Sequence, residues 1–385
     1  MSRRTILLVD DQEPILEVLA VSLQPWADRK SMTIEAYAGG EAALEALGRK
    51  HESVWLIVSD MKMPGISGPE LLARIRELYP DIMTILMTGY SDVAEIAKAV
   101  RTGVFSFVLK PFDREYMEAE IEKAFHVFTL REENRRFLSM IQEDMRWGGE
   151  LQRAFLRLAP TGSERVSFRA SCLPLAQMQC GGDFYDVIPL GGDRFFCLIG
   201  DVAGHGIKAA FITFMIKGAV RDGYLGSVDP RDATPDALLA WLNKRLSVEL
   251  APFPNLIVSF SACLLDAAGM RLSFANAGHL PLFLLHGERV RKLAAQGMGL
   301  GFSADAAYEA DSLKVTPGDM LVLHTDGLRE LRREMSLDED AFVEILKRCL
   351  AAADFHAAVL GELRAMTETG EFIDDATLLT ARMTQ

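Results

Sequence analysis

Two sets of acidic residues in this 385-residue chain stand where strand-like runs end, and both have the make-up of phosphoryl chemistry. The first is Asp10 and Asp11 after "TILLVD", Asp60 closing "WLIVSD", Thr88 in "MTILMTG" and Lys110 closing "FSFVLK". Three carboxylates converging on one sheet edge would hold a hard cation such as Mg²⁺ through oxygen. An Asp beside that cation, with an ammonium nearby, can attack a phosphoryl donor and carry an acyl phosphate. The cation and Lys110 would neutralise the phosphoryl oxygens. The second set is Asp183 in "GGDFYD", Asp201 in "IGDVAGHG", Asp326 in "HTDGLRE" and Asp374 in "DDATLL". Glycines flank three of these acids, Asp183, Asp201 and Asp326, which permits close approach of backbone to an ion. Carboxylate-rich, histidine-poor ligation suits Mg²⁺ or Mn²⁺ better than zinc. Two such ions bridged by one carboxylate would hold a hydroxide for in-line attack on phosphorus.

The elements that must position these groups change character along the chain. Up to about residue 125, short β-rich runs at 5–10, 33–38, 55–60, 83–89 and 105–110 alternate with helical patterns. In "PELLARIREL", for example, Leu71, Leu72, Ile75 and Leu78 share one helical face. Such alternation predicts an α/β, doubly wound parallel sheet, whose functional residues gather at the carboxyl ends of the strands. Residues 114–158 are charged and proline-free and read as a linker helix. Ile121, Phe125, Phe128, Leu138, Ile141 and Met145 lie near coiled-coil spacing, with Arg131 and Asn134 interrupting the seam. The seam is compatible with a homodimer or with a helix packed back on its own domains, and "GGE" at 148–150 reads as a break or hinge. Residues 159–385 combine strand runs joined by short turns ("GGD", "AAG", "HGE") with helical blocks at 207–250 and 338–368. That is an α+β pattern of antiparallel sheets covered by helices.

Composition narrows the function classes. The net charge of -13 disfavours binding to nucleic acid or to an anionic membrane surface. Five scattered cysteines without a C-x-x-C pair read as reduced, mostly buried thiols. The apolar run at the start is too short for a signal peptide and no later run would span a membrane, so the expected location is cytoplasmic.

Taken in order, "VDD", "SDMKMPGISG", "MTG" and "LKPF" make residues 1–125 resemble a two-component receiver domain, a flavodoxin-like fold. The resemblance implies Asp60 as phospho-acceptor, Mg²⁺ held by Asp10, Asp11, Asp60 and the carbonyl of Lys62, Thr88 and Phe107 as switch residues, and Lys110 as the conserved-type ammonium. It further implies a sensor histidine kinase or phosphotransfer protein as donor, with output through the surface of the fourth helix, fifth strand and fifth helix. Residues 159–385, with the helix "ELQRAFLRLAP" ahead of them, resemble the PP2C-like serine/threonine phosphatases of the SpoIIE/RsbU type, an αββα sandwich. The motifs are "GGDFYD", "GDVAGHG", "NAGH", "TDGL" and "DDATLL". That resemblance implies two Mn²⁺ or Mg²⁺ ions bridged by the catalytic Asp201. Asp326 and Asp374 (or its neighbour Asp375) would bind the first ion, and Asp183 and the carbonyl of Val202 the second. Ala203 stands where a eukaryotic branch has a histidine acid, and His205, His279 and His324 have no assigned role. Jointly, the resemblances imply a response regulator whose Asp60 controls a phosphatase acting on a phosphoserine or phosphothreonine protein, by analogy an anti-sigma-factor antagonist.

Two rivals remain. A degenerate phosphatase domain could bind a phosphoprotein without turnover. "GGDF" also begins the hairpin of a diguanylate cyclase, a domain that receivers do control. Here, however, Phe184 follows Asp183 directly, and three further acid-bearing motifs downstream have no place in a cyclase.

Overall fold

A computed structural model describes residues 4–89, 103–157, 162–175, 179–204, 206–253, 256–332 and 335–384. The chain divides into two compact units, Met1–Met140 and Ile141–Gln385.

The first unit is a parallel sheet of β1 (Thr5–Val9), β2 (Thr33–Tyr37), β3 (Val54–Asp60), β4 (Met83–Gly89) and β5 (Ser106–Lys110), in the order β2-β1-β3-β4-β5. Helices α1 (Glu13–Arg29), α2 (Gly40–Lys50) and α3 (Gly68–Leu78) connect these strands, and α4 (Arg114–Leu156) follows β5. Strands β1 and β3 are buried along their whole length, as near-continuous apolar runs in a sheet covered on both faces require. One face carries Leu16, Leu19, Trp26, Trp55, Ile121 and Phe128; the other carries Leu47, Leu71, Leu72 and Ile75. Ile121 and Phe128 are thus core residues of this unit, whereas Leu138 and Ile141 further along α4 are 52% and 39% exposed. The fourth helix of the expected output surface falls on residues 90–102, outside the described residues.

The second unit contains two antiparallel sheets. The first is built from β8 (Asp183–Gly191), β9 (Arg194–Val202), β10 (Val258–Asp266), β11 (Arg271–Ala277) and β14 (Asp311–Lys314), ordered β14-β11-β10-β9-β8. The second is built from β6 (Gly162–Ser163), β7 (Val166–Leu173), β12 (Leu282–His286), β13 (Arg289–Leu293), β15 (Met320–His324) and β18 (Ala376–Met383), ordered β13-β12-β15-β18-β7-β6. A small hairpin of β16 (Glu330–Arg332) and β17 (Met335–Ser336) lies between β15 and β18 in the chain. Cys197, Ile199, Cys263, Leu321, Leu323 and Leu379 fill the layer between the sheets. On the outer face of the first sheet, Phe196, Phe260 and Leu198 pack on α5 (Ile207–Gly218) and α6 (Pro235–Glu249). On the outer face of the second, Phe283, Val322 and Leu378 pack on α7 (Glu339–Cys349) and α8 (Phe355–Met366). This is the expected αββα sandwich, and the turns "GGD", "AAG" and "HGE" close the β8–β9, β10–β11 and β12–β13 hairpins.

Three local readings need revision. The helical block over 207–250 is two helices, because Pro230 sits in the connection and Pro235 opens α6. The block over 338–368 is also two, each capped by an Asp: Asp338 accepts from the Ala341 N–H and Asp354 from the Ala357 N–H. The glycines of "GGE" neither break nor hinge α4, which runs on to Leu156. Gly149 answers a packing need, since a Cβ there would lie 2.1 Å from the carbonyl oxygen of Gln179. Among the described residues, no helix is long and apolar enough to cross a membrane.

Candidate functional site

At the carboxyl edge of the parallel sheet, Asp10 is fully buried and Asp60 nearly so. Lys110 Nζ lies 2.9 Å from Asp10 Oδ2 and 2.5 Å from Asp60 Oδ1. Burial alone would lower the pKa of Lys110, but its hydrogen bonds and charge contacts with Asp10 and Asp60 outweigh that and raise it. The N–H of Lys62 donates to Asp60 Oδ2 at 2.9 Å, folding the following loop over the carboxylate. Asp11 is exposed. Thr88 is buried at the end of β4, where its hydroxyl donates to the Gly89 carbonyl at 3.4 Å. Phe107 is half-buried against the cluster of Leu7, Val9 and Ile57. The sheet therefore gathers Asp10, Asp60 and Lys110 into one contact set, with Thr88 on the neighbouring strand end.

In the second unit, the strand register brings acids together. Asp183 on β8 pairs across from Asp201 on β9, which pairs across from Ser259 on β10. Residues paired in this way project from the same face of a sheet. Two positions further along β9 that face carries Ile199, then Cys197, so the apolar filling of the sandwich gives way to carboxylates at one end. The other sheet contributes Thr325 just after β15. Its hydroxyl donates to Asp183 Oδ2 at 2.8 Å and accepts from the Thr377 N–H at 2.8 Å. Asp183 Oδ1 is buried without a hydrogen-bond partner.

Two glycines bring the pieces into register. A Cβ on Gly182 would lie 2.4 Å from the Val202 carbonyl oxygen, 3.0 Å from that of Gly204 and 3.2 Å from Asp201 Oδ1. Three oxygens thus converge beside the backbone of the "GGD" turn. A Cβ on Gly327 would lie 2.0 Å from the Asp375 carbonyl oxygen, so the turn bearing Asp326 rests directly on the backbone that bears Asp374. The choice between Asp374 and Asp375 also acquires a physical basis. Asp375 spends both oxygens on backbone, accepting from the N–H of Leu175 and of Gly182 at 2.8 Å each. Asp375 is thus buried in the organisation of the turn, whereas Asp374 is half-buried and accepts one backbone N–H, from Asp375 at 2.7 Å.

The electrostatics record the crowding. Burial, then the charges of Asp326, Asp374 and Asp375, push Asp201 up to about 7. Asp183 is held well above the usual carboxylate range by burial and by Asp201, against the Thr325 hydroxyl that donates to its Oδ2. Asp326 is raised by desolvation and by Asp374. Glu330 nearby is raised by desolvation, Asp326 and Asp374. Among the described residues, no Lys, Arg or His forms an ion pair with Asp183, Asp201, Asp326 or Asp374. Nor do any three His, Cys, Asp or Glu side chains among them form a closed ligand cage as they stand. Buried like charges with an unused oxygen and oxygen-only donors fit hard divalent cations.

The remaining motif residues take other roles. Asp186 does not lie in a turn: it is buried in β8 and bound by Arg221 through two contacts of 2.8 Å. Cys180 is fully buried packing. His324 stacks on Phe342 at 4.5 Å, and burial, His279 and Arg329 depress its pKa to about 3. His205 lies outside the described residues. Sequence reasoning missed Thr325, Glu330 and above all Gln152 on α4. Gln152 Nε2 donates to the Gly181 carbonyl at 2.8 Å and to Thr213 Oγ1 at 3.1 Å, while its Oε1 accepts the Gly181 N–H at 3.0 Å. A polar residue on the inward face of "ELQRAF" was the available signal.

Comparison with known proteins agrees with this fold. The family model "Stage II sporulation protein E (SpoIIE)" matches residues 191–384, half of the chain, and the "Response regulator receiver domain" model matches residues 6–122. Asp201, Val202, Asp326 and Asp374 fall within the SpoIIE match, and Asp183 lies just ahead of it. Protein IcfG of Synechocystis sp. is 28% identical over 206 residues, 48% of this chain and 32% of that protein. The transcriptional regulator NtrC of Escherichia coli K12 is 34% identical over 124 residues, 32% of this chain and 25% of its own. The chain therefore spans only about a quarter to a third of the length of these curated relatives. Among solved structures, the SiaA-PP2C domain of Pseudomonas aeruginosa aligns with a TM-score of 0.56 at 23% identity, covering 64% of this chain and 98% of that one. The PP2C phosphatase domain of SpoIIE from Bacillus subtilis, solved with a fragment of its regulatory domain, aligns at 0.50 and 20% identity, covering 57% and 64%. These two likenesses show the fold. With half its length matched by the SpoIIE model and a receiver domain ahead of that match, this chain belongs to the SpoIIE family.

Proposed function

We propose that the chain is a receiver-controlled, metal-dependent protein serine/threonine phosphatase. One observation carries the reading: acids from both sheets meet at one end of the sandwich without a basic partner among the described residues, and one buried carboxylate oxygen has no partner. In this reading the residues that would hold two Mn²⁺ or Mg²⁺ ions are Asp201, shared between them, with Asp183 and the Val202 carbonyl for one ion and Asp326 and Asp374 for the other. Bound there, the ions would supply a hydroxide at neutral pH and polarise the phosphoryl group. The protein's own part is orientation. Thr325 fixes the rotamer of Asp183, Asp375 pins the N–H of Gly182, and the Gly327 contact sets the turn of Asp326.

The receiver reading rests on the Asp10–Lys110–Asp60 contact set. Asp60 attacks the phosphorus of a phosphohistidine on a kinase or phosphotransfer protein, and the donor imidazole leaves. Mg²⁺ at Asp10, Asp11, Asp60 and the Lys62 carbonyl, with Lys110, would balance the added charge. Thr88 and Phe107 then take up the switched arrangement. Gln152 gives the signal a physical target, because it holds both backbone groups of Gly181, two residues before Asp183. The exposed Leu138 and Ile141 of α4 support pairing with a second copy. The substrate class is a phosphoserine or phosphothreonine protein, and by family analogy an anti-sigma-factor antagonist. Phosphate release from a phosphoserine peptide in Mn²⁺ tests the reading; protein that binds Mn²⁺ yet releases none in either receiver state would overturn it.

A further inference from the structure

His279, in the turn after β11, joins the two sheets at the carboxylate end of the sandwich. Its Nδ1 lies 2.7 Å from Ser259 Oγ and its Nε2 lies 3.1 Å from the His324 carbonyl oxygen. A carbonyl can only accept, so Nε2 carries the proton and Nδ1 accepts from the Ser259 hydroxyl. The ring is thereby fixed as one neutral tautomer, and desolvation acts in the same sense, lowering its pKa to about 4. With both nitrogens committed, the ring has no proton free for a leaving group. Its backbone is equally constrained. Asn276 Oδ1 accepts the His279 N–H at 2.8 Å, and Asn276 Nδ2 donates to the His279 carbonyl at 2.9 Å and to Ser261 Oγ at 3.0 Å.

The two ends of this clasp matter because of what adjoins them. Ser259 is the cross-strand neighbour of Asp201. His324 directly precedes Thr325, which holds Asp183 Oδ2, and Asp326 follows. One imidazole therefore spans from the strand beside the proposed bridging acid to the turn that carries another acid of the other sheet.

We propose that His279 is a positioning residue: the clasp Ser259–His279–His324 sets the separation of Asp201 from the Thr325–Asp326 turn, and with it the affinity for divalent cation. The inference rests on the phosphatase metal site proposed above. Nothing in it requires the ring to titrate.

The test is a Mn²⁺ titration of the full chain by calorimetry, with thermal unfolding in EDTA measured alongside. His279→Leu removes both hydrogen bonds. His279→Gln offers an acceptor and a donor at about the separation of the ring nitrogens and can rebuild them. Groups that orient metal ligands typically change affinity about 10–100-fold when removed, so His279→Leu should weaken Mn²⁺ binding about tenfold and His279→Gln by less than about threefold. At saturating Mn²⁺ the turnover of His279→Leu should return to within about threefold of wild type, since the ligands themselves remain. Wild-type affinity in His279→Leu, whatever its melting temperature, would overturn the proposal, as would His279→Gln binding as weakly as His279→Leu. Should His279→Leu fail to fold, Ser259→Ala decides by the same criterion: a several-fold weaker affinity supports the clasp and an unchanged one overturns it. Wild-type protein whose Mn²⁺ uptake is limited to the single ion of the proposed receiver site would overturn this inference together with the phosphatase reading, whereas uptake beyond that ion with equal affinity in wild type and variants would overturn this inference alone.

Discussion

Asp201→Asn offers the sharpest separation of the charge argument from ordinary packing. In the metal-free protein, burial and three neighbouring carboxylates lift Asp201 from 3.8 to about 7. A carboxyl raised on folding binds its proton more tightly in the native state. Its stabilising contribution is therefore complete below pH 3.8 and is lost as pH rises toward 7. Three pH units at about 1.4 kcal/mol each give a ceiling of about 4 kcal/mol for this destabilisation at pH 8. Residual solvent access and sharing of the proton among the acids cut this to about 1–2 kcal/mol. Asparagine keeps the shape and removes the charge. In EDTA at pH 8, Asp201→Asn should melt about 2–8 °C above wild type, since about 1 kcal/mol moves a domain of this size by roughly 2–4 °C. At pH 5, where folded Asp201 is protonated but the unfolded carboxyl is still ionised, the gap should shrink to about 40% of its pH 8 value. Added Mn²⁺ should raise the melting temperature of the second unit at pH 8 in wild type and far less in the variant, and the variant should hydrolyse no phosphoester. Differential scanning calorimetry at the two pH values reads all of this except turnover. A variant less stable than wild type at pH 8 in EDTA would refute the charge argument, as would one whose advantage is the same at pH 5.

Three other substitutions probe separate links. Gly327→Ala forces a Cβ into the Asp375 carbonyl. It should lower phosphatase turnover by about 100-fold, the usual effect of a displacement near 1 Å at reacting groups, as read with para-nitrophenyl phosphate. Gln152→Ala leaves both backbone groups of the buried Gly181 turn without their partner, at a cost of about 2 kcal/mol. It should lower the melting temperature of the second unit and slow turnover, while receiver phosphorylation, followed with radiolabelled phosphodonor, stays at the wild-type level. Arg221→Ala strips the buried Asp186 of its bidentate partner and should cost about 3 kcal/mol in urea unfolding.

Much of the fold was legible because it follows period and punctuation. Four strands of the first unit, β1, β3, β4 and β5, show as apolar runs ending in an acid, a Thr-Gly pair or a lysine, and short Gly-rich turns mark the hairpins of the second. Strand β8 was harder to see, because Asp183 and Asp186 interrupt its apolar run. The first acid faces the other sheet at its end and the second is neutralised by Arg221, thirty-five residues away. The acids at the candidate site were visible as Gly-flanked motifs. Their grouping was not, since it depends on the pairing of Asp183 with Asp201 and on the seating of Gly327 against Asp375. The two adjacent acids of "DDATLL" are indistinguishable as residue types, and only the backbone contacts of Asp375 tell them apart. Gln152 left the faintest trace, because a single amide on a long charged helix resembles a solvated residue until its partners are known. The α4 seam divides for a similar reason: Ile121 and Phe128 have the spacing of a coiled coil, but they fill the core beside Trp55.

The central claim is that a receiver controls metal-dependent phosphatase chemistry in one chain. Its most direct test measures phosphate release from a phosphoserine protein in Mn²⁺, with and without acetyl phosphate, for wild type and Asp60→Ala. The expected outcome is release that EDTA abolishes, a wild-type rate that changes with acetyl phosphate, and an Asp60→Ala rate that persists but no longer responds. Mn²⁺-loaded wild-type protein that releases no phosphate in either condition would contradict it, and so would an Asp60→Ala variant that responds to acetyl phosphate as wild type does.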